Sequence, residues 1–182
     1  MRDHVEQGRA NIEKTFLGIS QMEIDDVARS MLAARRVWVI GFRTSQSFAT
    51  YLQWQCLQVI ENVTTLPAAG QTLGENIASM TDEDCVILFG LRRGHTRMDQ
   101  ILYQSVASGA KVLYVTDAGV ERNHGPKWHF QCQTPAPGPL FNHVSVLALC
   151  HLIATRAIEL AGPTGRKRLA AIEAAHDSLD EL

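Results

Sequence analysis

Cysteine and histidine patterns that carry chemistry are missing from this 182-residue chain. The four cysteines, Cys56, Cys85, Cys132 and Cys150, stand far apart in apolar surroundings with no CxxC pair. They read as reduced core residues rather than as disulfide partners or zinc ligands. No HxxxH or HxH pair occurs, and neither a metal nor another cofactor is expected. GxGxxG is absent, and the segment GLRRGHT at 90–96 departs from the phosphate-loop pattern GxxxxGK(S/T), which disfavours nucleotide binding. An excess of one charge is missing too. With 17 Lys+Arg against 19 Asp+Glu the net charge is −2, which argues against a dedicated nucleic-acid surface. The opening MRDHVEQGRANIEK has no apolar core, so no secretion signal is read there and a cytoplasmic setting is expected. The most apolar stretch, Val144 to Ala161, is interrupted by His151, Arg156 and Glu159, as in a buried helix, and no membrane partner is expected. What remains, with 46% hydrophobic and 20% charged residues, is a globular domain large enough for a core of its own.

What is present is an alternation of strand and helix patterns. Ile12, Phe16 and Ile19, then Ile24, Val27 and Met31, recur at three- to four-residue spacings, which predicts two N-terminal helices meeting at Ser20. Ser20 and Glu23 form a capping-box pattern there. Apolar runs at 35–41, 63–67, 85–89 and 111–116, with a weaker one at 128–132, read as buried strands. Helical spacing joins them at 45–60 and from Met98 to Val106, closed by Gly109, and a short helix is expected from Gly70 to Met80. The proline-rich 134–139 breaks regular structure before a long helix from about Asn142, and Gly162-Pro163 sets off a last polar helix. One domain over 1–182 is expected, with N-terminal helices at 1–34, an α/β core at 35–140 and C-terminal helices at 141–182. The alternation predicts a three-layer α/β/α sandwich around a five-stranded, largely parallel sheet. The terminal helices offer more apolar surface than one sheet needs to cover, so a homodimer or homotetramer is expected.

Ligands of open parallel sheets sit outside the carboxyl ends of strands, and anions favour helix N-termini. Two strand-to-helix turns meet that description, GFRTSQS at 41–47 and GLRRGHT at 90–96. Gly41 and Gly90 permit tight exits from the strands. Thr44, Ser45 and Thr96 offer hydroxyls that either cap the following helix or bind a ligand oxygen, and capping accounts for them equally well. Arg43, Arg92 and Arg93 concentrate positive charge in a net acidic chain, beside Gly94 and His95, and guanidinium groups suit phosphate or carboxylate oxygens. A small anionic ligand between the two turns is the expectation. For acid/base work the candidates are Glu75, which a solvated helix face also explains, and His143 at the start of the closing helix. His151 reads as a satisfied core or interface residue, and Arg166-Lys167-Arg168 as a solvated face.

In this order the elements resemble the sugar isomerase (SIS) domain, specifically the C-terminal effector domain of MurR/RpiR-type bacterial transcription regulators. Carrying the resemblance are Asn11 to Thr15, Val39-Ile-Gly41 with Ser45 and Ala49 following, Asp84-Cys-Val-Ile, Gly109 to Asp117, and Asn142 to Leu149. The resemblance implies a flavodoxin-like sheet of order 2-1-3-4-5, oligomerisation through helices, and recognition of a phosphorylated sugar at the two turns. Members that bind sugar phosphates carry a serine-rich SxSGxT stretch where this chain has Gly90, Leu91, Arg92 and Arg93. Arginine-containing versions of that turn are familiar among the regulators, which favours an effector sensor. The alternative is a stand-alone aldose-ketose isomerase using Glu75 with His143 or His95. DNA is expected as a partner only through a separate N-terminal helix-turn-helix domain that this sequence does not carry.

Overall fold

Strands covered on both faces read as unbroken apolar runs, and such runs supply the centre of the sheet. The computed structural model describes residues 1–91 and 97–181. Its strands are β1 (Val37–Gly41), β2 (Val63–Leu66), β3 (Cys85–Gly90), β4 (Lys111–Asp117) and β5 (Trp128–Cys132). Every residue of β1 and β3 is buried. All neighbouring strands pair in parallel, in the order β2-β1-β3-β4-β5, as the resemblance implies.

Side chains alternate between two unequal cores. Val37, Val39, Cys85, Ile87, Leu113 and Phe130 face a large one. It is closed by α2 (Gln21–Ala33), α3 (Thr44–Cys56) and α6 (Val144–Leu160), with α1 (Arg2–Phe16) and α7 (Gly162–Leu179) outside them. Trp38, Ile40, Val86, Leu88 and Tyr114 face a smaller one, covered by α4 (Gly74–Ile77) and α5 (Met98–Ala107). Among the described residues no single helix is long and apolar enough to cross a membrane.

Local signals act as expected at several junctions. Ser20 and Glu23 make the reciprocal capping box of α2, and Gly109 leaves α5 with φ +83°, a conformation glycine adopts without penalty. Asp84 ties the amino ends of β1 and β3 together. It is 1% exposed and accepts hydrogen bonds from Arg35 Nε at 3.0 Å and Nη2 at 2.7 Å, Trp38 Nε1 at 3.0 Å and the Thr81 amide at 3.1 Å.

Other expectations need correction. The helix expected from Gly70 to Met80 is one turn long, because Gly70 takes φ +76° and α4 starts at a second glycine with no side-chain cap. The closing helix starts at Val144 rather than Asn142, whose Oδ1 accepts the Val144 amide at 3.0 Å and turns the chain instead. The fully buried residues of α1 are Gly8, Asn11 and Thr15, while Phe16 packs half-buried against the large core and Ile12 is half-buried. Asn11 Nδ2 donates to the Pro135 carbonyl at 2.8 Å and Thr15 Oγ1 accepts the Gln133 amide at 2.9 Å, so α1 docks by hydrogen bonds to the segment after β5. His151 is exposed, its Nδ1 lying 3.3 Å from the Tyr51 hydroxyl, and is no core residue.

Candidate functional site

The turn after β1 is compressed. A Cβ on Gly41 would stand 2.4 Å from the Ser45 carbonyl oxygen, so only glycine lets the first turn of α3 lie over the strand end. Arg43 then adopts φ 55°, ψ −124°, and the Phe42 carbonyl accepts the Ser45 amide at 3.0 Å. This is the first central position of a type II′ turn, where glycine is the ordinary residue. Holding arginine there costs of order 1–3 kcal/mol, and such strain collects at functional sites. No side-chain cap hydrogen bond is made at Arg43, the residue that caps α3.

Arg43, Thr44 and Ser45 line a cleft of about 250 Å³ together with His143, and its apolar wall is built from Phe42, Leu91 and residues 139–141. Arg43 and Thr44 are exposed and Ser45 is buried. His143 packs 5.5 Å from the Phe48 ring, centroid to centroid. Burial lowers its pKa from the ordinary value, with the charge of Asp117 working the other way. A neutral imidazole at neutral pH can both donate and accept a hydrogen bond. No carboxylate lines this cleft among the described residues.

The second turn begins at Gly90, where a Cβ would stand 2.4 Å from the Tyr114 hydroxyl. Tyr114 stacks on His129 at 5.1 Å. The Nδ1 of His129 accepts the Asn123 amide at 2.9 Å, which leaves the ring proton on Nε2 to donate to Thr116 Oγ1 at 2.8 Å. Arg92, Arg93, Gly94, His95 and Thr96 lie outside the described residues.

Glu75 sits exposed on α4 and accepts a hydrogen bond from Thr72 Oγ1, which holds its carboxyl below the usual range. It does not line the cleft with His143. A larger cavity, about 920 Å³, opens between α4 and α5 and shares Phe42 with the cleft, and Glu75 does not line that one either. Strained backbone, arginine and histidine converge instead on the smaller cleft, at the carboxyl ends where parallel sheets bind ligands. The cysteines are free and buried, and burial pushes the thiols of Cys56, Cys85 and Cys132 up to about 12, so they are inert. Among the described residues no group of three or more side chains could hold a metal.

The sequence reading missed the cleft walls from Leu91 and Phe141.

No curated protein matches the sequence significantly. The SIS domain model matches residues 30–122, just over half of the chain. The chain belongs to the SIS domain family. Solved structures share this SIS fold over nearly its whole length. The sugar isomerase domain of an RpiR transcription factor from Sphaerobacter thermophilus superposes with a TM-score of 0.84 at 18% identity, covering 94% of this chain and 96% of the other. The NanR protein of Vibrio vulnificus, complexed with ManNAc-6P, has a TM-score of 0.76 at 11% identity, covering 97% and 68%. The E. coli CFT073 protein c3406 has a TM-score of 0.68 at 13% identity, covering 87% and 88%. At such identities the likeness shows the SIS fold.

Proposed function

We propose that residues 1–182 act as one effector-sensing SIS domain of the RpiR type, binding a phosphorylated sugar between the turns at 41–47 and 90–96. The observation that carries this reading is the strained, exposed Arg43 beside His143 in a cleft that Glu75, the candidate base, does not line. A guanidinium group and the amides opening α3 suit a phosphate, while aldose-ketose isomerisation needs a base placed against adjacent carbons. Arg92 and Arg93 add charge from the second turn. The domain works in the cytoplasm as a homodimer or homotetramer. Ligand preference for one arrangement of subunits repositions helix-turn-helix domains attached at the N-terminal side, which is how binding becomes regulation.

Calorimetry with ManNAc-6P, arabinose 5-phosphate and fructose 6-phosphate tests the reading. Binding by the wild type, weakened by about 1.5–3 kcal/mol in Arg92→Ala, is the expected result for a guanidinium–phosphate contact. Indifference of both proteins to all three compounds would refute it. Isomerase turnover abolished by Glu75→Gln would assign the chain to catalysis instead.

A further inference from the structure

Asp117, the last residue of β4, is 6% exposed. Its Oδ1 accepts the Gly119 amide at 2.9 Å. Its Oδ2 is buried and has no hydrogen-bond partner among the described residues. A carboxylate oxygen can only accept, so it calls for a donor that those residues do not bring. Beside it a cavity of about 430 Å³ opens between the carboxyl ends of β4 and β5, lined also by Val120, Gln133 and Thr134.

We propose that Asp117 is the hydroxyl-recognising end of the ligand site, accepting hydrogen bonds from the sugar portion of a phosphorylated sugar whose phosphate lies at Arg43. The inference rests on the phosphosugar reading above and deepens it. β4 is separated from β1 by β3 alone, so the two ends lie roughly 10 Å apart, two inter-strand spacings. That is about the reach of a hexose phosphate from its phosphorus to its far hydroxyls. Like charges require this polarity: the phosphate stays with the arginines, and the uncharged polyol meets the carboxylate. Selectivity follows from the chemistry. A phosphomonoester without hydroxyls leaves Oδ2 unpaired, and a sugar phosphate fills it.

The test is Asp117→Asn, which keeps a carbonyl oxygen for the Gly119 amide and removes the charge. Kd is measured for ManNAc-6P, arabinose 5-phosphate and inorganic phosphate, with Tm of the unliganded proteins. The expected result is at least a tenfold loss of sugar-phosphate affinity, inorganic phosphate affinity unchanged, and a Tm no lower than the wild type's. Asp117→Ser, which retains a short acceptor for the amide, should give the same pattern and takes over if the first variant does not fold. Unchanged sugar-phosphate affinity in a folded variant overturns the inference and leaves the phosphosugar reading standing. Equal loss for sugar phosphate and inorganic phosphate, or a lowered Tm, also overturns it, by assigning Asp117 a structural role. A wild-type protein that binds neither sugar phosphate sinks the functional reading and the inference together.

Discussion

Asp84, just before β3, and Asp117, closing β4, are buried aspartates at opposite ends of one sheet and with opposite treatment. At the amino end, four donors converge on Asp84. At the carboxyl end, Asp117 keeps one oxygen without a partner among the described residues, Arg43 sits in a glycine-like conformation, and Gly41 and Gly90 admit no Cβ without a clash. The amino edge is arranged for stability. The carboxyl edge holds conformations and charges that cost stability, as ligand-binding regions commonly do. Parallel sheets bind at that same edge, so the imbalance and the fold point to one place.

Breaking the amino edge should have the largest effect. Asp84→Ala leaves the buried Trp38 Nε1 and the Thr81 amide without their acceptor and strips Arg35 of its partner, so a loss of about 3–5 kcal/mol is expected in urea unfolding. A loss below about 1 kcal/mol would remove the contrast between the two ends. Next comes Gly41→Ala, which forces a Cβ against the backbone of Ser45 and should cost about 1–3 kcal/mol, the range for overpacking. Gly90→Ala meets a side-chain ring instead of backbone and should cost less.

Arg43→Gly sharpens the comparison from the other side. Relief of the positive φ should raise stability by about 1 kcal/mol, and sugar-phosphate affinity should fall in the same variant. Thermal melts and calorimetry read the two effects, and a less stable Arg43→Gly would mean that the side chain anchors the turn. The smallest effect is pH dependence. Burial lowers the pKa values of His129 and His143 below 6.5. The unfolded chain therefore takes up these protons first as pH falls. Their contribution to stability is complete above about pH 6.5 and is lost as pH falls through the folded-state values. Melts from neutral to mildly acid pH should show a decline beginning near that point, and a rise toward acid would reverse the sign.

Much of the architecture was legible. The runs VWVIG and CVILFG had to be strands covered on both sides, and the Ser20–Glu23 spacing marked where α2 begins, because these signals depend on neighbours within a few residues. The candidate site was half legible. The turn at 41–47 was marked by glycine and arginine, but the strain at Arg43 was not, since nothing in GFRTSQS says which residue must take the positive φ. Glu75 and His143 looked like possible partners on residue type alone, and the fold leaves Glu75 exposed on α4, outside the cleft that His143 lines. The inward face of α1 was legible only in part: Phe16 packs on the large core, but Asn11 and Thr15, whose hydrogen bonds hold the helix to the segment after β5, are passed over by a search for apolar periodicity.

Sequence alone determined the succession of strands and helices and the turns at which a ligand could sit, because apolar period, capping and glycine act over a few residues. Only the tertiary structure decided which buried groups find partners. TDEDCV and VTDAG each hold an aspartate next to a strand, and nothing local separates them. Asp84 is satisfied because the crossover from β1 brings Arg35 and Trp38 to it from 49 and 46 residues away. Asp117 stands where none of the described residues returns a donor to its second oxygen. Hydrogen bonds of that separation depend on how strands are ordered in space, which local patterning does not encode.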